Sequence, residues 1–244
     1  MKRKLDLSVI VPCYNEVKNI PLLVKRFLEI LPKNIRAELI LVDNGSVDTS
    51  KKVISDYAKR YSFIEGVYIK KNIGYGNGIW GGLKKGSGDY LCWTHADMQT
   101  DIADTIQAYR IIVRQRNPKR CFVKGNRRKR LFVDWFFMCG MSVFETFALR
   151  KVLYDINAQP NLFHRSFLEG IVDPPKDFSF DIYFYYIAKK LRYKVIRFPV
   201  LFPKRIHGES HWSATLKGKW RFIKRTFIFT FKLRKVIKNA YNNP

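Results

Sequence analysis

LSVIVPCYNE, residues 7–16, begins with an uncharged apolar run and ends abruptly in polar side chains. The run is short and rich in β-branched residues, which is typical of a strand covered on both faces of a sheet. Pro12 has no backbone N–H to donate, so the strand is expected to end there and to leave the following backbone available to a ligand. The stretch therefore predicts a central strand that delivers Tyr14, Asn15 and Glu16 to one edge of a sheet.

Two further segments repeat this pattern, namely AELILVDNGSVDTS, residues 37–50, and GDYLCWTHADMQ, residues 88–99. In open α/β sheets, ligands bind outside the carboxyl ends of the strands. The three polar clusters are therefore expected to meet at one crevice. Carboxylates converging beside backbone amides suit a nucleotide diphosphate that carries a metal ion.

Helical spacing of apolar residues fills the intervals between these segments, and a glycine-rich turn precedes the third one. The predicted strands cover residues 7–12, 37–43, 66–70, 89–94 and 193–201. A helix is predicted near 178–191, while the rest of the second half is less regular. The alternation predicts a doubly wound α/β domain.

The composition narrows the class of protein. With 244 residues and 47% hydrophobic content, the chain has enough length and apolar surface for one folded α/β domain. Cys13, Cys92, Cys121 and Cys139 show no metal-site spacing and are expected to be free thiols in a reducing compartment. The longest uncharged apolar stretch, residues 135–144, is shorter than the roughly 20 residues that span a bilayer. The basic N-terminus leads into a strand instead of a signal peptide, so a cytoplasmic protein is expected.

The net charge of +26 is concentrated in two blocks without acidic residues. The first, between Asp104 and Asp134, contains Arg110, Arg114, Arg116, Lys119, Arg120, Lys124, Arg127, Arg128, Lys129 and Arg130. The second, after Glu209, contains Lys217, Lys219, Arg221, Lys224, Arg225, Lys232, Arg234, Lys235 and Lys238. Such blocks indicate a polyanionic partner, which is a nucleic acid, an anionic membrane surface or a phosphorylated substrate.

The motifs, taken in order, resemble those of glycosyltransferase family 2, the inverting enzymes of GT-A fold, and within it the polyprenyl-phosphate mannose and glucose synthases. The resemblance covers roughly residues 5–212. It implies a GT-A (Rossmann-like) fold, a mixed and mostly parallel sheet flanked by helices. The matching segments are PCYNE, VDNGSVDTS, NIGYGNGIWGGLKKGSGDY, HADMQ and RIHGESHW. Three residues depart from the family pattern. Asn44 and His95 stand where the family carries acidic residues, and His211 stands where it carries a lysine.

The resemblance implies that the ends of the first two strands bind the nucleotide. Tyr14 is expected to stack on the base, and Asn15 and Glu16 to bond its edge or the ribose, although the same side chains also suit strand-end capping. Asp43 is implied at the base or ribose. The full implied set is Pro12, Tyr14, Asn15, Glu16, Asp43, Gly76 and Ala96.

Asp97 is the first candidate for catalysis, as a ligand of Mg²⁺ or Mn²⁺ on the donor diphosphate. The amide oxygen of Gln99, two residues along a segment taken as extended, is expected to reach the same ion. His95 is a third candidate ligand, and its imidazole would favour Mn²⁺. Contact with the sugar or phosphate, and a place in the site wall, are equally open for His95.

The acceptor determines which other groups are needed. A hydroxyl acceptor requires a general base, for which Asp181 is the candidate and Asp177 the second, although both also suit the start of a helix. A polyprenyl phosphate is already anionic and requires guanidinium groups instead. The resemblance implies Arg127, Arg205 and Ser210 as its ligands. Asp155 aligns with an acidic residue before the acceptor region, where a structural role is equally open.

The end of the chain combines aromatic and basic residues at helical spacing. Residues 213–244 are therefore predicted to form a basic amphipathic helix at an anionic membrane surface, following a catalytic domain at 1–212. Packing of this helix on the catalytic domain or on a second subunit is the alternative.

The favoured function is metal-dependent, inverting transfer of a sugar from a UDP- or GDP-sugar to a polyprenyl phosphate. The expected location is cytoplasmic, peripheral on the cytosolic face of the membrane. One alternative is a family 2 enzyme that extends a lipid-linked or surface glycan through a hydroxyl acceptor. A catalytically inactive scaffold and a basic nucleic-acid-binding protein are more distant, and the basic blocks match no nucleic-acid-binding motif, so no nucleic acid is expected as a partner.

Overall fold

A computed structural model of the chain describes residues 5–128, 140, 143–203, 224 and 227–235. The strands are β1 (Leu7–Cys13), β2 (Ala37–Asp43), β3 (Ile64–Tyr68), β4 (Tyr90–Trp93), β5 (Cys121–Arg128), β6 (Asn161–His164) and β7 (Lys194–Leu201). The helices are α1 (Asn19–Ile30), α2 (Ser50–Arg60), α3 (Tyr75–Lys85), α4 (Ala103–Val113), α5 (143–149), α6 (Phe180–Lys190) and α7 (227–235).

The described strands form one seven-stranded sheet in the order β3-β2-β1-β4-β6-β5-β7. Every pairing is parallel except the two made by β6, which is antiparallel to both β4 and β5. The predicted mixed, mostly parallel sheet flanked by helices is therefore confirmed. Because β4 and β5 are both antiparallel to β6, their carboxyl ends lie at the same edge of the sheet as those of β1 and β2.

Both faces of β1 are covered, as its apolar run predicts. Val9 and Val11 pack into the cluster that includes α1 and α4, whereas Ile10 packs into the cluster that includes α3 and α6. Fully burying each such side chain contributes roughly 1.5–3 kcal/mol. The interior of β1 and β2 is therefore mostly apolar, with Ser8 and Glu38 buried as a hydrogen-bonded pair at 2.6 Å, and the other polar residues follow the carboxyl ends at the crevice.

Two strands of the second half, β5 and β6, were not predicted. In β5, CFVKGNRR, four cationic or polar side chains obscure the apolar pattern, yet Phe122 and Val123 are fully buried. The four residues of β6 are too few to show a period. The other predicted strand and helix bounds agree with the structure to within a few residues, and Cys13, Cys92 and Cys121 are buried free thiols.

The helix α7 covers part of the predicted C-terminal tail. The ring centroid of Phe227 lies 3.8 Å from that of Phe144 in α5, and that of Phe231 lies 6.2 Å from it. Thr230 and Leu233 are buried. The alternative in which the tail packs on the rest of the chain is therefore observed for one face of α7, while the boundary at 212/213 lies outside the described residues. None of the helices within the described residues has both the length and the apolar character needed to cross a bilayer.

Candidate active site

The carboxyl ends of β1 and β2 form the first wall of the crevice. Cys13 and Asp43 are partners in the parallel register, and the backbone N–H of Asn44 donates to the carbonyl of Cys13 at 2.8 Å. Asp43 is 2% exposed, and its Oδ1 accepts from the backbone N–H of Ser46 at 3.1 Å. The backbone of the turn after β2 thus binds the Asp43 carboxylate and restricts its direction, and its contact with a base or ribose stays a prediction.

The loop after β1 contains three of the predicted nucleotide ligands. Asn15 has a φ of 58°, and its Oδ1 accepts from the backbone N–H of Val47 at 3.0 Å. The Glu16 carboxylate accepts from Asn19 Nδ2 at 2.6 Å. Tyr14 is 44% exposed. Asn15 therefore joins the loops after β1 and β2, and the Glu16 carboxylate caps the start of α1, which agrees with the capping alternative. Stacking of the Tyr14 ring on a base stays a prediction.

The glycine-rich run at the start of α3 packs against the chain itself. A Cβ at Gly76 would lie 2.5 Å from the carbonyl oxygen of Pro175 and 2.8 Å from that of Asp177. Gly74 has a φ of 140° and would meet the carbonyl oxygen of Lys176. The requirement for glycine at both positions thus comes from the backbone of residues 175–177. A nucleotide contact at Gly76 remains a prediction.

The three candidate metal ligands follow β4. Asp97 is 8% exposed, and its Oδ1 accepts from the backbone N–H of Gln99 at 3.2 Å. Met98 between them has a φ of 58°, so the segment is a turn. The expectation of an extended segment was wrong, because the Asp97 carboxylate bonds the backbone two residues on and bends the chain. That Asp97 and Gln99 reach the same ion stays a prediction. Gln99 Nε2 donates to the carbonyl of Pro203 at 3.1 Å.

The chemistry of this donor set fits an ion that arrives on a diphosphate. The described residues contain no group of three or more His, Cys, Asp or Glu side chains that could hold a metal alone. A hard divalent cation bound to phosphates needs few protein ligands, because the phosphate oxygens supply the rest. Asp97, His95 and Gln99 offer one carboxylate, one imidazole and one amide at this edge. Ala96, between two of them, is 3% exposed and belongs to the core cluster that includes α1 and α4, so its nucleotide contact stays a prediction.

The ring of His95 belongs to an aromatic stack. Its centroid lies 5.4 Å from that of Tyr75, which in turn lies 5.3 Å from that of Phe178. Burial raises the pKa of the Tyr75 hydroxyl, and the negative charges of Asp181 and Asp97 raise it further. His95 therefore packs against Tyr75, and its role as a metal ligand stays a prediction.

Asp181, the candidate general base, lies in the first turn of α6 and is 3% exposed. Its Oδ1 accepts from Trp93 Nε1 at 3.0 Å and from Gln159 Nε2 at 3.1 Å. Both donors are side chains of the protein, so the Asp181 carboxylate is held in place by its neighbours. The second candidate, Asp177, accepts from the backbone N–H and hydroxyl of Ser179 and so acts at the start of the helix.

At the carboxyl end of β5, two arginines surround one carboxylate. Asp155 is 1% exposed and accepts from Arg127 through the backbone N–H, Nε at 2.9 Å and a terminal guanidinium nitrogen. A guanidinium nitrogen of Arg197 lies 3.7 Å from the same carboxylate. Asp155 thus fixes the guanidinium of Arg127, the predicted phosphate ligand. Arg205, Ser210 and His211 lie outside the described residues.

Several polar residues of this region were not predicted from the sequence, namely Trp93, Lys124, Gln159, Asn161 and Arg197. Trp93 and Lys124 were hidden inside strands, where a polar contact has no local sequence signature. Gln159 and Asn161 lie in DINAQPNLF, whose polar residues interrupting an apolar stretch were the available signal.

The profile of one family, described as glycosyl transferase family 2, matches residues 8–153. A dolichyl-phosphate beta-glucosyltransferase of Trichomonas vaginalis is 32% identical over 133 residues, which cover 52% of this chain and 41% of that protein. An undecaprenyl-phosphate 4-deoxy-4-formamido-L-arabinose transferase of an Enterobacter species is 37% identical over 97 residues, which cover 38% and 29%. The chain thus spans less than two thirds of the length of these curated relatives.

Solved structures resemble the fold over nearly the whole chain. Glucosyl-3-phosphoglycerate synthase of Mycobacterium tuberculosis, in complex with uridine diphosphate, superposes with a TM-score of 0.71 at 15% identity and covers 94% of this chain and 80% of that one. The same enzyme with Mn²⁺ and UDP-glucose gives a TM-score of 0.71 at 16% identity and covers 98% and 80%. The likeness confirms the predicted GT-A fold.

Proposed function

The chain belongs to glycosyl transferase family 2, and we propose that it is a metal-dependent, inverting glycosyltransferase that moves a sugar from a UDP- or GDP-sugar to a polyprenyl phosphate. The curated relatives named above carry polyprenyl phosphates in their names, and the structural neighbour was solved with Mn²⁺ and UDP-glucose.

The observation that carries the proposal is the pairing of two oppositely charged sites at one edge of the sheet. Asp97 follows β4 at the donor side, and Arg127 ends β5 at the acceptor side with its guanidinium held by Asp155. The strand β6 and the segment before it lie between them. A transferase needs this arrangement, because it must bring an anionic acceptor to a donor that carries a second anion.

A bound Mg²⁺ or Mn²⁺ would supply Lewis-acid stabilisation of the leaving diphosphate. Asp97, Gln99 and His95 are the residues that would hold it. Tyr14 and Asp43 hold the nucleoside and so orient the anomeric carbon toward the acceptor side. Arg127 places the acceptor phosphate, whose oxygen attacks without losing a proton. A guanidinium suits this role because it bonds a phosphate through two parallel N–H groups.

The state of Asp181 favours a phosphate acceptor over a hydroxyl acceptor. A general base must come within hydrogen-bond reach of the proton that it removes. Asp181 is buried, and its Oδ1 already accepts from Trp93 and Gln159. A phosphate acceptor requires no base, so a buried Asp181 in a supporting role is compatible with it. Extension of a glycan through a hydroxyl remains the second candidate.

The test is transfer of radiolabelled sugar from UDP- and GDP-sugars to extracted membranes and to a purified polyprenyl phosphate, with Mg²⁺ or Mn²⁺ added. The expected product is a lipid whose label is released by mild acid, because a glycosyl phosphate is acid-labile. Label that stays bound under mild acid would support the hydroxyl acceptor instead. Absence of transfer, together with the absence of a thermal shift with any nucleotide sugar, would refute both.

We also propose that the chain attaches to the cytosolic face of the membrane through α5 and α7. The two helices pack through Phe144, Phe227 and Phe231, and they leave other apolar side chains exposed: Val143 at 55%, Phe147 at 79% and Ile228 at 56%. Lys232, Arg234 and Lys235 are exposed on the same helix α7. Exposed aromatics beside cations suit the interface of an anionic bilayer, where each basic residue contributes about 1 kcal/mol.

Flotation with vesicles of phosphatidylglycerol and phosphatidylcholine tests this attachment. The full chain should float, and Phe147→Ser combined with Ile228→Ser should reduce its bound fraction. Leu28→Ser, an exposed apolar position on α1, is the matched control and should float like the wild type. Equal loss in both variants would contradict the assignment to α5 and α7.

A further inference from the structure

Lys124 is a lysine in the middle of the sheet, and the site described above does not use it. It is 0% exposed, in β5 between β6 and β7. Its Nζ donates to the carbonyl of Ala158 and to Oδ1 of Asn161, both at 2.7 Å. Burial lowers the pKa of Lys124 to about 7. Removing an ammonium group from water is costly, so an apolar residue at this position would give a more stable fold. The presence of lysine therefore indicates a function for the amine.

The two amides beyond Lys124 form a directed chain of hydrogen bonds. Asn161 Nδ2 donates to Gln159 Oε1 at 2.6 Å. Gln159 Nε2 donates to Asp181 Oδ1 at 3.1 Å and to the Tyr75 hydroxyl at 3.2 Å. The chain therefore runs from Lys124 to the carboxylate of Asp181 and to the ring that stacks on His95.

The direction of this chain follows from the chemistry of its first member. A lysine ammonium has donors and no acceptor, whereas an amide side chain presents an oxygen on one side and an NH₂ group on the other. Asn161 must therefore turn its oxygen to Lys124 and its NH₂ group to Gln159. Gln159 must then turn its oxygen to Asn161 and its NH₂ group to Asp181. A reversed Gln159 would place an amide oxygen against the carboxylate.

We propose that Lys124 is a positioning residue, whose amine sets the orientation of the Asn161 and Gln159 amides and thereby fixes Asp181 and Tyr75 beside the donor site. The effect on catalysis rests on the proposed function, whereas the orientation of the amides does not. The register of the sheet supports this positioning role for Lys124. Asn161, at the start of β6, pairs with Trp93 of β4 on one side and with Lys124 of β5 on the other. Trp93 in turn donates to Asp181.

The charges around Lys124 come from every element packed against it. Asp181 on α6 and Asp155 before β6 raise its pKa, whereas Arg197 on β7 and Arg127 on β5 lower it. A neutral lysine amine gains a lone pair but keeps two N–H donors, which match its two acceptors, the carbonyl of Ala158 and Oδ1 of Asn161, so both bonds persist when Lys124 loses its proton. If Lys124 acts by orienting the amides, the fall in kcat caused by Lys124→Met should be the same below and above pH 7. If Lys124 acts through its positive charge, the fall in kcat caused by Lys124→Met should become smaller as the pH rises.

The first test is spectroscopic and needs no activity. In ¹⁵N-labelled full-length protein, the indole N–H signal of Trp93, assigned among the five tryptophans through Trp93→Phe, reports its bond to Asp181. Lys124→Met should shift this signal, and Lys119→Met, an exposed control, should leave it in place. An unshifted signal in Lys124→Met would overturn the proposal.

The second test is kinetic. Lys124→Met should lower kcat by about 10- to 100-fold, the usual cost of losing an orienting partner, with little change in KM for the nucleotide sugar. The loss should be equal below and above pH 7. A rise in KM with an unchanged kcat, or a fall in kcat that is confined to low pH, would contradict an orienting role. A wild-type protein without transfer activity would refute the proposed function and leave the Trp93 signal to decide on Lys124.

A second variant keeps the proposal testable if Lys124→Met does not fold. Asn161→Asp retains an acceptor for Lys124 but cannot donate to Gln159. It should reproduce both the Trp93 shift and the loss in kcat while the fold, measured by circular dichroism, is kept. Wild-type kcat and an unshifted Trp93 signal in folded Asn161→Asp would show that the amides do not transmit the effect.

Discussion

The donor side of the crevice presents carboxylates held by local turns, whereas the acceptor side presents guanidinium groups held by distant partners. Asp43 accepts from Ser46, and Asp97 from Gln99, so each bond spans two or three residues. Arg127 instead pairs with a carboxylate 28 residues away. The donor side therefore depends on short motifs, and the acceptor side depends on the packing of the second half of the chain.

This difference separates the expected effects of substitution. A donor-side carboxylate can be changed with little effect on the fold, because its turn involves few residues. A change on the acceptor side removes one member of a buried ion pair, and the other charge is then left without compensation. Donor-side variants should therefore lose chemistry alone, while acceptor-side variants should lose both binding and stability.

The largest effect is expected for Asp97→Asn on the donor side. A carboxylate that holds a metal contributes several kcal/mol to transition-state stabilisation, so kcat should fall by about 1,000-fold. The midpoint of thermal unfolding without ligand should change little. Transfer assays and unfolding curves, each with and without Mn²⁺ and nucleotide, measure the two quantities.

Asp101→Asn is the matched control for this variant. Asp101 lies four residues further along and pairs with Arg26 at the surface, where its side chain is 45% exposed. It should keep transfer activity. If Asp97→Asn transferred sugar as well as Asp101→Asn does, the donor side would not have the role proposed for it.

Arg127→Lys tests the acceptor side. Lysine keeps the charge but loses the two parallel N–H groups that bond a phosphate, and it cannot reproduce the bonds to Asp155. We expect kcat/KM for the polyprenyl phosphate to fall by about 100-fold, with KM for the nucleotide sugar unchanged, and the unfolding midpoint to drop. Arg128→Lys, at an exposed neighbouring position, is the control. Loss of nucleotide affinity instead would place Arg127 on the donor side.

The same contrast explains how much of each side could be predicted from the sequence. Asp43 and Asp97 were found because an apolar strand and a turn residue mark their positions in a short window. Arg127 was found through its motif, but its pairing with Asp155 joins segments whose spacing carries no local signal. Lys124 and Gln159 were missed for that reason. Gly76 was found as a glycine, but its packing against residues 175–177 depends on a segment that lies about a hundred residues further on.

A smaller effect is expected for His95→Asp, which restores the acidic residue that the family carries at this position. Imidazole favours Mn²⁺ and carboxylate favours Mg²⁺, so the ratio of Mg²⁺- to Mn²⁺-supported activity should rise by about 10-fold if His95 is a ligand. Initial rates over a range of each metal measure this ratio. An unchanged ratio would leave His95 as part of the aromatic wall with Tyr75, and would limit the protein's metal ligands to Asp97 and Gln99.

Glu145 is a buried carboxyl in the second half of the chain, and the smallest effect on activity is expected there. It is 4% exposed in α5, and burial raises its pKa to about 8 from 4.5. The folded chain therefore holds a proton that the unfolded chain has lost, so the free energy of unfolding should fall as the pH rises from about 4.5 to about 8.

Glu145→Gln removes this dependence and leaves an uncharged group of the same shape. The variant should match the wild type in acid and should be more stable by at least about 1 kcal/mol above pH 8, a rise of roughly 2–4 °C in Tm. Glu29→Gln, at a position where the side chain is 50% exposed, should show no such divergence. Parallel pH profiles for Glu145→Gln and the wild type would mean that Glu145 is ionised in the folded chain, and that the second half of the chain, which carries the acceptor side, holds a further buried negative charge. In that case the contrast between an acidic donor side and a basic acceptor side would have to be redrawn.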